Sequence, residues 1–208
     1  MFTGMVTALG RIEATQELPG AGAGLRVRVS TPAGWLGHSR IGDSVCVSGA
    51  CMTVVGMGPE DFAFDISAES LRLTAGLDQV GAAVNLEQSL TLADKLGGHL
   101  VSGHVDAVGA VQQFEPVGES RHLVLALPAE LARFVAYKGS LTVNGVSLTV
   151  NRVDDCADGS ARAHINLIPH TLQHTNLDRL RAGSKVNLEV DLIARYVQRM
   201  LASPPAQD

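Results

Sequence analysis

A thiol and a hydroxyl occupy equivalent places in two similar stretches of this sequence. Cys51 lies in G-A-C-M-T and Ser147 lies in G-V-S-L-T, and Thr53 and Thr149 follow them by two residues. Alternate residues of a β-strand point to the same face, so each pair shares one side of its strand. At the mouth of a barrel such polar pairs would meet a ligand. Small residues that face a core would give the same spacing, so a ligand site is one of two interpretations.

The segment G-G-H-L-V-S-G-H-V-D, residues 97–106, brings together His99, His104 and Asp106. His104 is equivalent to Met5 in a similar stretch at the start of the chain. Imidazole is the side chain best suited to proton transfer near neutral pH, so its presence in only one of the two stretches indicates different tasks for them. A histidine with purely structural hydrogen bonds is the alternative.

His170 and His174 stand four residues apart, a spacing that on a helix could bind a metal ion. Pro169 and the neighbouring Thr and Asn residues make a loop or a single turn an equal alternative. No acidic or cysteine ligand stands at a helpful spacing, so we predict no metal site. The motifs that usually indicate a hydrolase, a nucleoside triphosphatase or a dinucleotide-binding enzyme are also missing from the sequence.

The sequence around these residues contains the same blocks twice, in the same order. F-T-G-M-V-T-A-L-G-R-I from Phe2 matches V-S-G-H-V-D-A-V-G-A-V from Val101, V-C-V-S-G-A-C-M-T-V matches L-T-V-N-G-V-S-L-T-V, F-D-I-S-A-E-S-L-R-L-T matches I-N-L-I-P-H-T-L-Q-H-T, and V-N-L-E occurs at 84–87 and 186–189. Ordered blocks indicate a duplicated domain, and each half is long enough to bury its own core. We predict domains at residues 1–97 and 98–190, then a helix and tail at 191–208.

Composition narrows the class of protein. The 208 residues are 46% hydrophobic and 18% charged, which is typical of a folded globular chain. A net charge of −5 with one Trp, two Tyr and five Phe argues against nucleic acid as a partner. Apolar runs are too short to span a membrane, the start lacks the basic region of a signal peptide, and three cysteines without C-x-x-C fit a reducing cytoplasm.

Alternating Val and Thr between glycine turns predict mostly β structure, with two small antiparallel barrels or sandwiches and a first strand that begins at residue 1. Residues 128–138 predict a short helix. Residues 192–201 predict another, with an apolar stripe on one side and Asp191 either as its N-cap or as part of the site in the second barrel. This helix has no repeat partner, so it either packs against other copies of the chain or folds back on its own barrel. The final A-S-P-P-A-Q-D predicts a disordered tail.

Taken together, these motifs resemble those of riboflavin synthases of the α-chain type, and the resemblance covers nearly the whole chain. The motifs are M-F-T-G, S-G-A-C-M-T-V, G-G-H-L-V-S-G-H-V-D, Y-K-G, N-G-V-S-L-T-V, L-I-P-H-T-L-Q-H-T-N-L and V-N-L-E-V-D before a final helix. The resemblance implies an all-β fold of two tandem Greek-key antiparallel β-barrels with pseudo-twofold symmetry, plus a C-terminal helix for trimerisation. It also implies one bound lumazine per barrel, with the reaction site between barrels of neighbouring chains.

The resemblance further implies which residues contact the ligands. The N-terminal barrel would use Gly4, Met5, Val6, Cys51, Met52, Thr53, Asp65, Ile66, Ser67, Ala68, Glu69 and Ser70, and the C-terminal barrel Gly103, His104, Val105, Ser147, Leu148, Thr149, Asn166, Leu167, Ile168, Pro169, His170 and Thr171. Lys138 matches a lysine that reaches a ligand. As catalytic residues we expect His104, Ser147 and Thr149 to handle the proton in one barrel and Cys51 to assist addition in the other. Water, the ribityl hydroxyl and Cys51 remain candidates for the nucleophile.

The implied reaction is a dismutation, in which one 6,7-dimethyl-8-ribityllumazine gives a four-carbon unit to another. The products are riboflavin and 5-amino-6-ribitylaminouracil, and no metal or redox cofactor is expected. Association with lumazine synthase is left open by the resemblance. The alternative is a non-catalytic lumazine- or flavin-binding protein of the same fold, which would need no catalytic residues. Two small departures from the family pattern are Met5 in place of the commoner Ile and S-G-A-C, with Ser48, in place of the commoner N-G-V-C.

Overall fold

The computed structural model describes residues 1–20 and 22–202, and its first half is a barrel of six strands. They are β1 (Ala8–Glu17), β2 (Leu25–Ser30), β3 (Ser44–Val47), β4 (Ala50–Met57), β5 (Asp61–Ile66) and β6 (Ala83–Gln88). Six more form the second half: β7 (Ala107–Val117), β8 (Ser120–Leu127), β9 (Ser140–Val143), β10 (Val146–Asp155), β11 (Ala161–Leu167) and β12 (Lys185–Val190).

Both halves have the same topology. The first barrel closes in the order β1-β2-β5-β4-β3-β6, and the second closes as β7-β8-β11-β10-β9-β12, with antiparallel neighbours throughout. Each strand therefore has a counterpart in the other half. This confirms the predicted pair of antiparallel barrels and excludes the sandwich alternative.

Each barrel has its own hydrophobic core, as the alternation along its strands predicts. Inward side chains such as Ile12 and Phe64 pack in the first barrel, and Leu125 and Ile165 pack in the second. Closure of both sheets leaves no long unpaired edge, which explains how short strands make a stable fold.

A two-residue turn joins β3 to β4, and another joins β9 to β10. Ser48 and Gly49 have φ of 43° and 93°, and Asn144 and Gly145 have φ of 47° and 78°. Hairpin turns of this kind match the strand twist and favour Asn-Gly, so Ser48 is the less suitable residue at its position. The two turns touch where the barrels meet, since a Cβ at Gly145 would lie 2.8 Å from the Gly49 nitrogen. Both glycines are therefore required by the close approach.

The asparagines of the repeated V-N-L-E tetrapeptide fasten the barrels together. Asn85 Nδ2 donates to the Asn144 carbonyl at 2.8 Å, and Asn187 Nδ2 donates to the Ser48 carbonyl at 2.9 Å. Each Oδ1 accepts a backbone N–H of the opposite half at 2.7 Å. Because both side chains are buried, losing either would leave unpaired polar groups at the junction.

The helices are short: α1 (Ala68–Leu73), α2 (Ala129–Ala132), α3 (Pro169–His174) and α4 (Leu192–Ala202), with a 3-10 turn at Asn176–Arg179. The helix expected over 128–138 is wrong in length, because the chain turns after Ala132 to bury Val135 and enter β9. The strand expected from residue 1 is also wrong, since β1 begins at Ala8. None of the helices in the described part of the chain has the length and apolar character needed to cross a membrane.

Helix α4 confirms the helix predicted over 192–201. The Ile193 amide donates to Asp191 Oδ1 at 2.9 Å, so Asp191 caps the helix as expected. Asp106 forms an ion pair with Arg195 and accepts the Val190 amide at 2.8 Å, which ties the helix to the second barrel. The apolar stripe stays exposed on this chain: Ile193, Tyr196, Val197, Met200 and Leu201. Of the predicted disordered tail, residues 203–208 lie outside the described part.

Candidate functional site

The segments that precede β1 and β7 cross each other between the barrels. Phe2 and Val101 exchange backbone hydrogen bonds of 2.8 and 3.1 Å, and both side chains are fully buried. Beyond the crossing, Val6 packs against the core of the second barrel. Val105 packs against the core of the first barrel. Each segment therefore leads into the first strand of one barrel while it packs against the other barrel.

Two buried carboxylates hold the crossing segments in place. Glu87 Oε1 accepts the Thr3 amide and hydroxyl at 2.7 Å, and its Oε2 accepts the Gly4 amide at 3.0 Å. Glu189 receives the same three bonds from residues 102–103, at 2.7, 2.6 and 3.0 Å. Burial raises the pKa of Glu87, and the bonds from Thr3 and Gly4 oppose that shift. The glutamate of each V-N-L-E tetrapeptide thus binds a crossing segment, whereas its asparagine binds the hairpin turn of the other barrel.

The first mouth, defined here by Cys51, Thr53, Gly103 and His104, lies on the first barrel. The Cys51 amide donates to the Gly103 carbonyl at 2.7 Å, and a Cβ at Gly103 would lie 2.6 Å from Cys51 Cβ. Cys51 is partly buried, while Thr53 and His104 are exposed. A thiol, a hydroxyl and an imidazole are therefore placed around one surface of this barrel.

The second mouth, defined by Ser147, Thr149, Gly4 and His99, lies on the second barrel. The Ser147 amide donates to the Gly4 carbonyl at 2.8 Å, and a Cβ at Gly4 would lie 2.6 Å from Ser147 Cβ. Ser147 is partly buried and Thr149 is exposed, as their counterparts are in the first mouth. The two mouths are thus equivalent in backbone and different in side-chain chemistry.

His99 links two hydroxyls at the second mouth. Its Nδ1 lies 2.7 Å from Ser147 Oγ, and its Nε2 lies 3.2 Å from Thr142 Oγ1. Burial lowers the pKa of His99, and the carboxylates of Asp191 and Glu189 partly oppose this, so the ring is neutral near pH 7. A neutral imidazole donates from one nitrogen and accepts at the other, which can fix the orientation of the Ser147 hydroxyl.

The crossing corrects two expectations drawn from sequence. Residues 4–6 lie at the second barrel and residues 103–105 at the first, the reverse of the expected distribution. His104 is therefore separated from Ser147 and Thr149 within one chain and placed beside Cys51. The repeat shows which segments are equivalent, but it carries no signal for the barrel on which each segment docks.

Sequence reasoning also missed the contact made by His99. The motif grouped it with His104 and Asp106, yet the structure sends the three residues to the second mouth, the first mouth and α4. The pair Gly97-Gly98 was the available signal. A Cβ at Gly98 would lie 2.9 Å from Ser147 Cβ, so the glycine permits the approach that brings His99 to Ser147.

The stretches that flank the mouths are positioned by local contacts. In the first half, Asp65 pairs with Arg26 at 2.7 Å, which lowers the pKa of the Asp65 carboxyl, and Ser67 Oγ accepts the Ser70 amide at 3.0 Å as the cap of α1. In the second half, Asn166 and Ile168 are exposed at the end of β11 and the start of α3.

The predicted histidine pair and lysine lie near the second barrel. The rings of His170 and His174 stack on α3 with centroids 4.1 Å apart. Lys138 lies in the turn before β9, with Nζ 5.4 Å from the centre of the Tyr137 ring. Within residues 1–20 and 22–202, no three His, Cys, Asp or Glu side chains are placed as a metal site requires.

Two cavities lie away from the polar pairs of the mouths. A cleft of about 670 Å³ between the barrels is lined by residues including Ser48, Asn144 and Asn176. Another, of about 510 Å³, is lined by residues including Met5 and Lys95. The Met5 side chain borders this second cavity and lies close to Gly97, where an added Cβ would be 3.4 Å from Met5 Cγ. Neither lining includes Cys51 or Ser147. Thr53, His104 and Thr149 are exposed, so each mouth is accessible to solvent on a single chain.

Comparison with known proteins identifies relatives of both halves. The model of the family described as Lumazine binding domain matches residues 3–89 and again residues 102–191. Riboflavin synthase of Photobacterium phosphoreum is 37% identical over 209 residues, covering 100% of this chain and 92% of that protein. Riboflavin synthase of Mycobacterium bovis is 40% identical over 205 residues, covering 98% of this chain and 99% of that protein.

Two solved structures of LumP are similar to this chain over most of its length, at lower sequence identity. LumP complexed with riboflavin is similar with a TM-score of 0.79 and 25% identity, covering 91% of this chain and 99% of that chain. LumP complexed with 6,7-dimethyl-8-(1'-D-ribityl) lumazine has a TM-score of 0.78 with the same identity and coverage.

Proposed function

We propose that this chain, which belongs to the riboflavin synthase family and carries two lumazine-binding domains, forms riboflavin from two molecules of 6,7-dimethyl-8-ribityllumazine. It is a transferase: one lumazine gives a four-carbon unit to the other, and 5-amino-6-ribitylaminouracil is the second product. Atoms and electrons balance between the two substrate molecules, so the proposal includes no cofactor. As domain boundaries we propose 1–97 and 98–190, with 191–208 beyond them.

The pair of equivalent mouths is the observation that carries this proposal. A reaction between two identical molecules needs two similar sites, and the backbone supplies them through Cys51 against Gly103 and Ser147 against Gly4. Because one lumazine must donate and the other must accept, the sites also need different chemistry. A thiol and an exposed imidazole at the first mouth, against a hydroxyl held by His99 at the second, provide that difference.

We propose roles for four catalytic residues: His104, Ser147, Thr149 and Cys51. The 7-methyl group of the acceptor is acidic because its carbanion delocalises into the heterocycle, so a modest base can remove the proton. Stacking two rings in a fixed orientation would supply much of the remaining rate enhancement. His104 with Thr149 and Ser147 would move the proton, and Cys51 would assist addition to the donor. The flanking stretches 65–70 and 166–171 would contact the ring systems.

The division of these residues between the barrels favours a site formed by two chains. His104 and Ser147 belong to different mouths of one chain, and both mouths are open. If the first mouth of one chain faces the second mouth of a neighbour, the proton-transfer group becomes complete. The exposed apolar stripe of α4 provides a surface for assembling a homotrimer.

Location and further partners belong to the same proposal. The three cysteines are free, which fits a cytoplasmic enzyme. Association with lumazine synthase would place the enzyme beside a source of its substrate.

The test is incubation of the purified protein with 6,7-dimethyl-8-ribityllumazine and a chelator, with riboflavin followed by its absorbance. We expect one riboflavin for every two lumazines consumed. The similarity to LumP in complex with ligands keeps a binding protein as the second candidate. Lumazine binding without riboflavin formation would establish that candidate and refute the enzyme.

A further inference from the structure

Two cysteines face each other at the first mouth. Cys46 on β3 is paired in register with Cys51 on β4, one position outside the Val47 and Ala50 pair that closes the turn. The Cys51 amide donates away from the hairpin, to the Gly103 carbonyl. Cys46 and Cys51 are therefore a non-hydrogen-bonded pair, in which the Cα atoms lie about 4.5 Å apart and both side chains project from the same face. Disulfides occur at Cα separations of about 4.4–6.8 Å.

The surroundings of the two thiols differ. Cys46 is 2% exposed and packs with Phe2 and Val101 under the crossing, and Cys51 is partly buried and packs against that cluster. At the equivalent positions the second barrel has Thr142 and Ser147, which His99 links and whose hydroxyl groups cannot form a disulfide. The potential for a disulfide is thus a property of the first mouth alone.

We propose that Cys46 and Cys51 form a reversible disulfide when the protein meets a hydroperoxide, and that this bond withdraws the Cys51 thiol from the first mouth. The bond itself follows from the register and packing of the hairpin. Its effect on turnover rests on the proposed function.

The reaction balances with the hydroperoxide as oxidant. The Cys51 thiolate attacks the peroxide, an S–O bond forms as the O–O bond breaks, and an alcohol or water leaves, giving a sulfenic acid. Cys46 then attacks the Cys51 sulfur, the S–O bond breaks, and the Cys46 proton leaves with the hydroxide as water. Cys51 reacts first because it is accessible. Burial raises the pKa of Cys46, which keeps it as a thiol until the sulfenic acid forms beside it.

Formation of the bond changes the ligand surface. Cys51 Cβ lies where only a glycine fits opposite, so the backbone cannot shift toward Gly103. The Cys51 sulfur must rotate toward Cys46, beneath Phe2 and Val101. A cross-strand disulfide of this kind is strained, so a dithiol reductant should break it readily.

The test treats the intact protein with hydrogen peroxide and measures free thiols, peptide mass and turnover. Cys46 and Cys51 share one tryptic peptide, residues 41–72, because no Lys or Arg separates them. We expect this peptide to lose the mass of two hydrogen atoms and the three thiols to fall to one. Riboflavin formation should fall by at least about tenfold and return with dithiothreitol.

Two variants serve as controls. Cys156→Ser removes the remaining thiol and should show the same loss and recovery as the wild type. Cys46→Ala should retain its activity before oxidation. Because no second thiol traps the sulfenic acid, excess peroxide should oxidise Cys51 further to the sulfinic acid, which adds two oxygen atoms to this residue, and the lost activity should not return with dithiothreitol.

Three outcomes would overturn the proposal. The first is a 41–72 peptide that gains oxygen in the wild type without losing two hydrogens. The second is recovery by dithiothreitol that is unchanged in Cys46→Ala, and the third is a complete disulfide with unaltered turnover. If the untreated protein forms no riboflavin, the proposed function fails, while the peptide mass still decides whether the disulfide forms.

Discussion

Replacing Gly103 by alanine should lower the free energy of unfolding for two reasons, the positive φ of the residue and its close contact with Cys51. The residue has φ of +78°, a conformation that costs an L-residue about 1–2 kcal/mol. The new Cβ would also lie 2.6 Å from Cys51 Cβ and 2.9 Å from the Cys51 nitrogen. Overpacking of this kind costs about 1–3 kcal/mol. The free energy of unfolding should therefore fall by about 2–5 kcal/mol.

Gly118→Ala is the matched control for this prediction. Gly118 has φ of +59° and nothing within 4 Å of the place that an added Cβ would take, so only the conformational cost of about 1–2 kcal/mol applies. Urea unfolding of both variants gives the two free energies, and riboflavin formation reports the state of the first mouth. We expect Gly103→Ala to lose more stability than Gly118→Ala and to lose turnover, which Gly118→Ala keeps. Equal destabilisation with equal turnover would refute the close packing of Gly103 on Cys51.

Three further predictions concern the junction and the second mouth. Ser48→Asn should raise the free energy of unfolding by up to about 1 kcal/mol, because Asn tolerates the positive φ of the turn and its Oδ1 can accept the Asn85 amide as Ser48 Oγ now does. Asn187→Ala should lower the free energy of unfolding by about 2–4 kcal/mol by leaving buried groups unpaired, well beyond the effect of the exposed control Asn151→Ala. His99→Gln should reduce turnover and remove a pH dependence of stability. Since burial lowers the folded pKa of His99, the wild type keeps this contribution above the unfolded value of about 6.5 and loses it as the pH falls through the folded pKa.

Each of these predictions has a contrary result. A less stable Ser48→Asn variant would show that the cleft beside the turn cannot accept the longer side chain. Equal urea midpoints for the two asparagine variants would show that the junction does not depend on the Asn187 side chain. Identical stability curves for His99→Gln and the wild type between pH 7 and 5 would refute the role of burial at His99.

Repetition made much of the fold predictable. The matched V-C-V-S-G-A-C and L-T-V-N-G-V-S blocks predict the β3–β4 and β9–β10 hairpins, because two runs of alternating apolar residues joined by a two-residue glycine turn are typical of a β-hairpin. The helix at α4 was predictable from its apolar stripe and from Asp191. These features depend on residues close together in the chain.

The features that sequence did not predict depend on distant contacts. Nothing in residues 1–6 indicates that Val6 packs on the second barrel, because an exchanged segment and a local one have the same sequence pattern. The V-N-L-E repeat was visible in the sequence. Only the fold shows that Asn85 binds at the junction of the barrels and that Glu87 binds the crossing segment. His99 lacked a repeat partner, so comparison of the halves gave no signal for its contact with Ser147.

Complementation between two variants is the most direct measurement of a dismutation shared between chains. His104→Gln impairs the first mouth and Ser147→Ala impairs the second, so each alone should form riboflavin slowly. When the two are unfolded together and refolded, some sites should combine an intact first mouth of one chain with an intact second mouth of another. Riboflavin formation by the mixture should then rise well above that of either variant refolded alone. Activity of the mixture no greater than the average of the two would contradict a reaction site formed by mouths of different chains.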